Sequence, residues 1–113
     1  MVQVATPAGA PRLYVYAAPH APPKILAIRL STLEIHSGET VAGSVETTSN
    51  VASVEARISG WSMIVPRTRI GHFEASGQIP DLPVFLTGDY TLEVIARNAD
   101  GVKAERDVTI AFR

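Results

Sequence analysis

The sequence contains no cysteine, which excludes disulfides, thiolate metal ligands and cysteine nucleophiles together. It also lacks an excess of either charge. Ten basic and eleven acidic residues give a net charge of -1, and no run of like charge occurs. We therefore expect neither nucleic-acid binding nor attachment to an anionic membrane surface.

Long hydrophobic runs are missing as well. No apolar run approaches the roughly 18 residues of a membrane span, so no membrane insertion is expected. Met1-Val2-Gln3 lacks the basic residues of a signal peptide, and alanine and proline interrupt the apolar region that would follow. The 113 residues are enough for one domain and too few for two ordinary ones.

Residues that carry chemistry are present but do not form a motif. The three histidines, His20, His36 and His72, lie far apart and share no metal-ligand spacing, so we expect solvated surface histidines. No serine lies in a Gly-x-Ser-x-Gly motif, and no glycine-rich phosphate loop is present. The sequence thus predicts a protein that is not an enzyme and that holds no cofactor and no metal.

Residues 1–23 differ in composition from the rest of the chain. They hold five of the eight prolines and, apart from Arg12, no charged side chain. This composition is typical of an extended arm or linker. Within it, Leu13-Tyr14-Val15-Tyr16 is apolar and β-prone, which has two interpretations. The segment is either a short strand packed on its own domain or an arm that adds to the sheet edge of another chain.

The C-terminal part of the chain, from Leu86 to Arg113, predicts a β-hairpin. Apolar residues recur at every second position on two strands, as expected for strands with one buried face: Tyr90, Leu92, Val94 and Ala96, then Val108, Ile110 and Phe112. Asp100-Gly101 suits the turn between them because both residues tolerate positive φ. Ile95 is the exception, an apolar residue on the outer face.

Similar rows of apolar residues precede this hairpin. Their phase slips by one position at Ser31-Thr32, which requires a bulge or a switch between sheets. Turn signals about every 8–12 residues separate the later rows, which are Val41 and Val45; Val54, Ala56 and Ile58; Trp61, Met63 and Val65; and Phe73, Ala75 and Ile79. The pattern predicts an all-β sandwich of about seven strands over residues 24–113.

The pattern Gly88-x-Tyr90-x-Leu92-x-Val94-x-Ala96-x-Asn98-x-x-Gly101 resembles the penultimate strand and last turn of bacterial immunoglobulin-like and fibronectin type III-like domains. The resemblance implies an immunoglobulin-like β-sandwich of about seven antiparallel strands behind an extended N-terminal arm. Tyr90 falls where such domains carry a tyrosine corner, a hydroxyl bonded back to nearby backbone. The alternative is a half-buried core tyrosine without that bond.

Trp61, the only tryptophan, is the residue that the sequence singles out. It follows Gly60 and is out of phase with the inward row Val54, Ala56 and Ile58. One interpretation places Trp61 in the core after a glycine bulge. The other places it outward, where it forms a contact patch with Met63, since such residues are enriched at interfaces. Arg67 and Arg69 would rim that patch, unless they belong to a solvated loop.

The resemblance also implies a function. Such domains serve as non-enzymatic interaction or spacer modules of bacterial cell-surface, secreted or phage-structural proteins. The expected partner is a protein or the neighbouring domains of a larger chain, and the expected location is extracellular, on the cell surface or in the periplasm. The alternative is a carbohydrate-binding accessory module that stacks a polysaccharide on Trp61, together with Tyr14 or Tyr16.

Overall fold

The structure is a computed structural model that describes residues 2–3, 14–80 and 87–113. Within these ranges the regular secondary structure consists of β-strands alone. The ten strands are β1 (Val2–Gln3), β2 (Ile25–Leu30), β3 (Glu34–Ile35), β4 (Thr40–Thr47), β5 (Val51–Ile58), β6 (Trp61–Val65), β7 (Arg67–Arg69), β8 (His72–Gln78), β9 (Gly88–Asn98) and β10 (Lys103–Phe112).

The strands form two five-stranded sheets that pack on a shared core. One sheet has the order β1-β2-β4-β8-β7 and the other the order β3-β10-β9-β5-β6. Alternate residues of both sheets face inward, and their buried side chains form one cluster that includes Ile28, Val45, Phe73, Val54, Val94 and Ile110. The prediction of an all-β sandwich is confirmed. One pair departs from the expected antiparallel arrangement, because β3 runs parallel to β10.

The chain changes sheets where the apolar phase slips. β2 pairs with β4 in the first sheet, whereas β3 pairs with β10 in the second. Ser31 fixes the crossing, since its N–H donates to the Ala42 carbonyl at 2.8 Å and its hydroxyl accepts from the Ala42 N–H at 3.0 Å. The two sheets face each other, so a chain that crosses between them must turn its apolar parity over. Of the two predicted alternatives, a bulge or a switch between sheets, the structure has the switch.

The closing hairpin has the predicted inward row. Its register runs from Gly88 opposite Phe112 to Arg97 opposite Lys103. The rings of Tyr90 and Phe112 meet edge to face, with centroids 5.3 Å apart. Residues 81–86, which include the backbone just before β9, lie outside the described ranges. The tyrosine corner therefore stays a prediction.

Asn98 joins the hairpin turn to the N-terminal arm. Its side-chain oxygen accepts from the N–H groups of Asp100 and Val102, both at 3.0 Å. Its amide nitrogen donates to the Ala21 carbonyl at 3.1 Å, and Asn50 donates to the same carbonyl at 2.6 Å. Asn98 is buried, so these bonds replace the water that its amide would otherwise need.

The described part of the arm lies against its own domain. β1 pairs antiparallel with β2 at the edge of the first sheet. Val15 forms a parallel bridge with Thr48, and its carbonyl accepts from the Ser49 N–H at 2.8 Å. The Ser49 hydroxyl accepts in turn from the Ala17 N–H at 2.7 Å. Leu13, which the sequence grouped with this segment, lies outside the described residues.

Candidate functional site

Strand β6 forms one edge of the second sheet, and a tight hairpin holds it there. Its register with β5 runs from Ile58 opposite Trp61 to Val54 opposite Val65 without a shift. The two turn residues, Ser59 and Gly60, have φ values of 45° and 85°. Positive φ at both central residues is the type I′ geometry, whose twist matches that of the flanking strands.

The hairpin geometry decides which backbone groups of β6 face outward. The residues that flank a two-residue turn form a hydrogen-bonded pair, and bonded and non-bonded pairs then alternate along the ladder. Trp61, Met63 and Val65 therefore bond to β5. Ser62 and Ile64 direct their N–H and C=O groups away from it. No strand in residues 2–3, 14–80 or 87–113 pairs with this side of β6.

The side chains of this edge are apolar and exposed. The exposed fraction is 59% for Trp61, 36% for Met63 and 66% for Ile64, and of the five residues only Val65 is buried. We call this strand, with its outward backbone groups, the β6 edge. The core interpretation of Trp61 is wrong. Trp61 is on the same face of β6 as Val65, but β6 lies at the edge of its sheet. The facing sheet ends on this side in β7, which has only three residues and leaves the indole exposed.

The other predicted contact residues lie apart from Trp61. Arg67 and Arg69 are exposed on β7, in the other sheet, and follow Val65 at the far end of β6. They form a short strand paired with β8, not a loop. This places both arginines beside the buried end of the β6 edge, so they do not rim Trp61.

Tyr14 and Tyr16 are exposed at the opposite end of the sandwich. Val15, between them, lies beside Thr48, just before β5 begins. Trp61 follows the end of β5, and an eight-residue strand is roughly 24 Å long. The tyrosines therefore do not share a platform with Trp61.

Sequence reasoning missed Ile64, the most exposed side chain of the edge. It has the opposite parity to Trp61 and lies on the outer face beside Glu55. Its significance depends on β6 being an edge strand, which no local pattern indicates. The available signal was the length of the stretch from Trp61 to Val65, five residues without a charge.

A charged network borders the β6 edge on the outer face. Glu55 accepts hydrogen bonds from Arg57 at 2.8 Å and from Arg97 at 2.9 Å. These bonds, with that from Arg57 the stronger cause, lower the pKa of Glu55 from 4.5 to about 2. Ile95 lies opposite Glu55 on the neighbouring strand, two residues before Arg97. It is on the outer row, as predicted, yet only 1% exposed, which agrees with long charged side chains packing their stems over an apolar neighbour.

The three histidines have separate carboxylate partners. His20 lies 2.6 Å from Asp100, which raises the pKa of the imidazole through a hydrogen bond. His36 lies 3.7 Å from Glu34. The prediction that all three are solvated is wrong for His72, which is buried between β4 and β7 and lies 2.6 Å from Glu74. Among the described residues, no group of three or more histidines and carboxylates has an arrangement that holds a metal ion.

No helix in the described parts of the chain has the length and apolar character needed to cross a bilayer. No protein-family model matches the sequence, and no curated protein matches it either.

The solved structures that resemble the fold include the following two. One is a DUF4785-family protein from Legionella pneumophila, with a TM-score of 0.58 and 14% identity over 82% of this chain. The other is the alkylpurine DNA glycosylase AlkC of Pseudomonas fluorescens bound to DNA containing an abasic site analog, with a TM-score of 0.57 and 17% identity over 82% of this chain. This chain spans 29% and 31% of those two chains. At such identities the likeness shows the fold alone.

Proposed function

We propose that this chain is an immunoglobulin-like, non-enzymatic interaction module that binds an extended protein segment along the β6 edge. The observation that carries the proposal is the combination of exposed apolar side chains with outward backbone donors and acceptors on one edge strand, whose outer side pairs with no other strand in the described residues. A segment in strand conformation satisfies both, because its backbone completes the ladder while its side chains cover Trp61 and Ile64.

Three features support the immunoglobulin-like assignment. In the lettering of such domains, β2-β4-β8-β7 corresponds to strands A-B-E-D and β10-β9-β5-β6 to strands G-F-C-C′. The chain switches sheets between β2 and β3. Tyr90 and Leu92 belong to the pattern on β9 that resembles the penultimate strand of such domains. Sandwiches of this kind serve many functions, so the proposed function depends on the edge and not on the fold.

The composition of the edge favours a protein partner. Soluble proteins protect their edge strands with lysine, proline or a bulge, because an open edge templates pairing with other chains. None of these lies within β6, and its register with β5 is regular. An edge without such protection is explained by a segment that covers it.

Carbohydrate binding is the second candidate, favoured by the exposed indole of Trp61, because flat aromatic faces stack on sugars. Tyr14 and Tyr16 lie too far away to extend the platform. A sugar would leave the backbone groups of Ser62 and Ile64 unused, so this candidate accounts for fewer of the observations.

We further propose that the module belongs to a bacterial cell-surface, secreted or phage-structural protein, in which it binds neighbouring domains or a separate protein. The glycosylase among the similar structures was solved on DNA. The charges of this chain are balanced, so we expect no comparable affinity for a duplex.

The single tryptophan provides a direct test, because its emission reports on the β6 edge alone. The chain is titrated with uncharged β-branched peptides, with soluble cell-wall oligosaccharides and with duplex DNA that holds an abasic site analog. We expect the peptides to shift Trp61 emission to shorter wavelength in the parent and not in Ile64→Lys, which charges the edge but keeps the tryptophan. Val102→Lys, at an exposed apolar residue of the β9–β10 turn, is the matched control and should behave as the parent. A response to sugar or DNA without a response to peptide would reject the proposal.

A further inference from the structure

The β6 edge also indicates which strand covers it. Assuming the proposed function, we propose that β6 binds β6 of a second copy, antiparallel across a two-fold axis, with Met63 opposite Met63. The two sheets then join into one continuous sheet through both copies.

The register follows from the outward backbone groups. Pairing centred on Met63 sets Ser62 of each copy opposite Ile64 of the other, so both outward residues of each strand exchange N–H and C=O bonds, four bonds in total. Pairing centred on Ser62 would set Ile64 against the turn at Gly60. Pairing centred on Ile64 would set Ser62 against Pro66, which has no N–H. Only the register centred on Met63 pairs every outward donor and every outward acceptor.

The side chains agree with this register. On the inner face Trp61 lies opposite Val65 of the second copy, and the two Met63 side chains meet at the axis. On the outer face Ile64 lies beside Ser62 of the second copy. Cross-strand pairs of this apolar kind stabilise a sheet, and no charged residue occurs within the paired segment.

The flanking charges do not conflict with this symmetry. Arg57 lies opposite Ser62 on β5, and Glu55 lies opposite Ile64. On the outer face, each row of side chains across the dimer therefore runs from Glu55 and Ile64 of one copy to Ser62 and Arg57 of the other. Arg67 falls opposite the turn residue Ser59 and does not face a second arginine. Like charges are thus kept apart, which is what sheet pairing requires.

The interface is small, and its size sets the expected affinity. Five residues per copy bury less than the roughly 1,200 Å² of total surface that stable complexes need. We therefore expect a dissociation constant in the micromolar range or above. The measurements must extend to millimolar protein.

The absence of cysteine makes cross-linking a sharp test of the register. The facing Met63 residues form a non-bonded pair with a Cα separation of about 4.5 Å, within the range that a disulfide spans. The two Ser62 residues are diagonal neighbours about 7–8 Å apart, which is too far. Under mild oxidation we expect Met63→Cys to form a covalent dimer at least ten times faster than Ser62→Cys. Val102→Cys measures random collision, and equal rates for all three variants would overturn the proposal.

Sedimentation equilibrium tests the association without a cysteine. The parent should show a mass that rises with concentration, and Ile64→Lys should lower the association constant at least tenfold while its melting curve stays close to that of the parent. If the parent remains monomeric at millimolar concentration while peptides still shift Trp61 emission, self-pairing is wrong and the proposed function stands. If peptides also fail, both are wrong.

Discussion

Gly71 lies in the turn between β7 and β8, where a side chain has no room. Its φ is +70°, and a Cβ there would lie 2.7 Å from the Thr47 carbonyl oxygen and 3.4 Å from Cβ of Tyr14. The Gly71 carbonyl accepts from the Thr47 N–H at 2.9 Å. This one residue therefore joins the turn to β4 beneath the arm.

Replacing Gly71 should cost more than replacing another glycine of positive φ. Gly101 has a φ of +80° and nothing within 4 Å of its Cβ position, so it isolates the backbone effect. Left-handed backbone costs an L-residue about 1–2 kcal/mol, and the clash adds to this in Gly71→Ala. We expect urea unfolding to show a loss of about 1 kcal/mol for Gly101→Ala and about 3 kcal/mol for Gly71→Ala. Equal losses would show that the turn moves away from Thr47.

Trp61→Ala should barely change the stability of the fold. A buried aromatic side chain loses roughly 3–5 kcal/mol on truncation to alanine, and an exposed one loses far less. Phe73→Ala, at a core residue that is fully buried, is the matched control. In urea we expect a loss of several kcal/mol for Phe73→Ala and of about 1 kcal/mol or less for Trp61→Ala. A comparable loss for both would place the indole in the core after all.

Glu55 should give the stability a dependence on acid pH. Its pKa in the folded chain is about 2, below its ordinary value of 4.5, so its contribution is fully present above pH 4.5 and is lost as the pH falls toward 2. Glu55→Gln removes the titrating group. We expect its melting temperature to fall less than that of the parent between these pH values. Parallel profiles would show that Arg57 and Arg97 do not stabilise the carboxylate.

At the scale of elements, the β9–β10 turn and the arm depend on the same side chain. Asn98 bonds to the turn and to Ala21, whereas Asn50 provides the other donor to Ala21 without touching the turn. Asn98→Ala removes three side-chain hydrogen bonds and Asn50→Ala removes two, and each such bond contributes about 0.5–1.5 kcal/mol. We expect thermal unfolding to show a larger loss for Asn98→Ala than for Asn50→Ala. The reverse order would mean that the turn forms without the Asn98 side chain.

The inward rows of the long strands could be predicted because a period of two is a local property. Val54, Ala56 and Ile58 face the core together, as do Val108 and Ile110. The sheet switch was one of two predicted alternatives, because the apolar alternation shifts by one position at Ser31-Thr32. In each case a strand's own sequence carries the information.

The exposure of Trp61 and the burial of His72 could not be predicted in this way. Trp61 lies opposite Ile58 and so faces the same side of the sheet as the inward row, and its exposure depends on where the facing sheet ends. His72 has an outward parity, and its burial depends on Glu46 of β4, which lies opposite it in the register. The short strand β7 carries no apolar row, so its sequence resembles a loop. These features arise from pairing between distant segments.

At the scale of the whole molecule, the two edges on one side of the sandwich differ in chemistry. The edge at β7 carries Arg67 and Arg69, which oppose pairing through charge. The β6 edge carries no charge and exposes Trp61 and Ile64. The molecule therefore has an apolar edge beside a charged one, and this difference is the reason that we propose β6, and not β7, as the strand that pairs.

Amide hydrogen exchange measures directly whether the β6 edge pairs with another strand. In dilute protein, Ser62 and Ile64 should exchange fast because their N–H groups face away from β5, while Trp61 and Met63 should exchange slowly. At millimolar concentration, or with a bound peptide, we predict that Ser62 and Ile64 become protected together. If both amides are already protected in dilute protein, the edge is covered within the chain. If both amides stay unprotected under every condition, β6 pairs with no further strand, and both the proposed function and the proposed dimer are wrong.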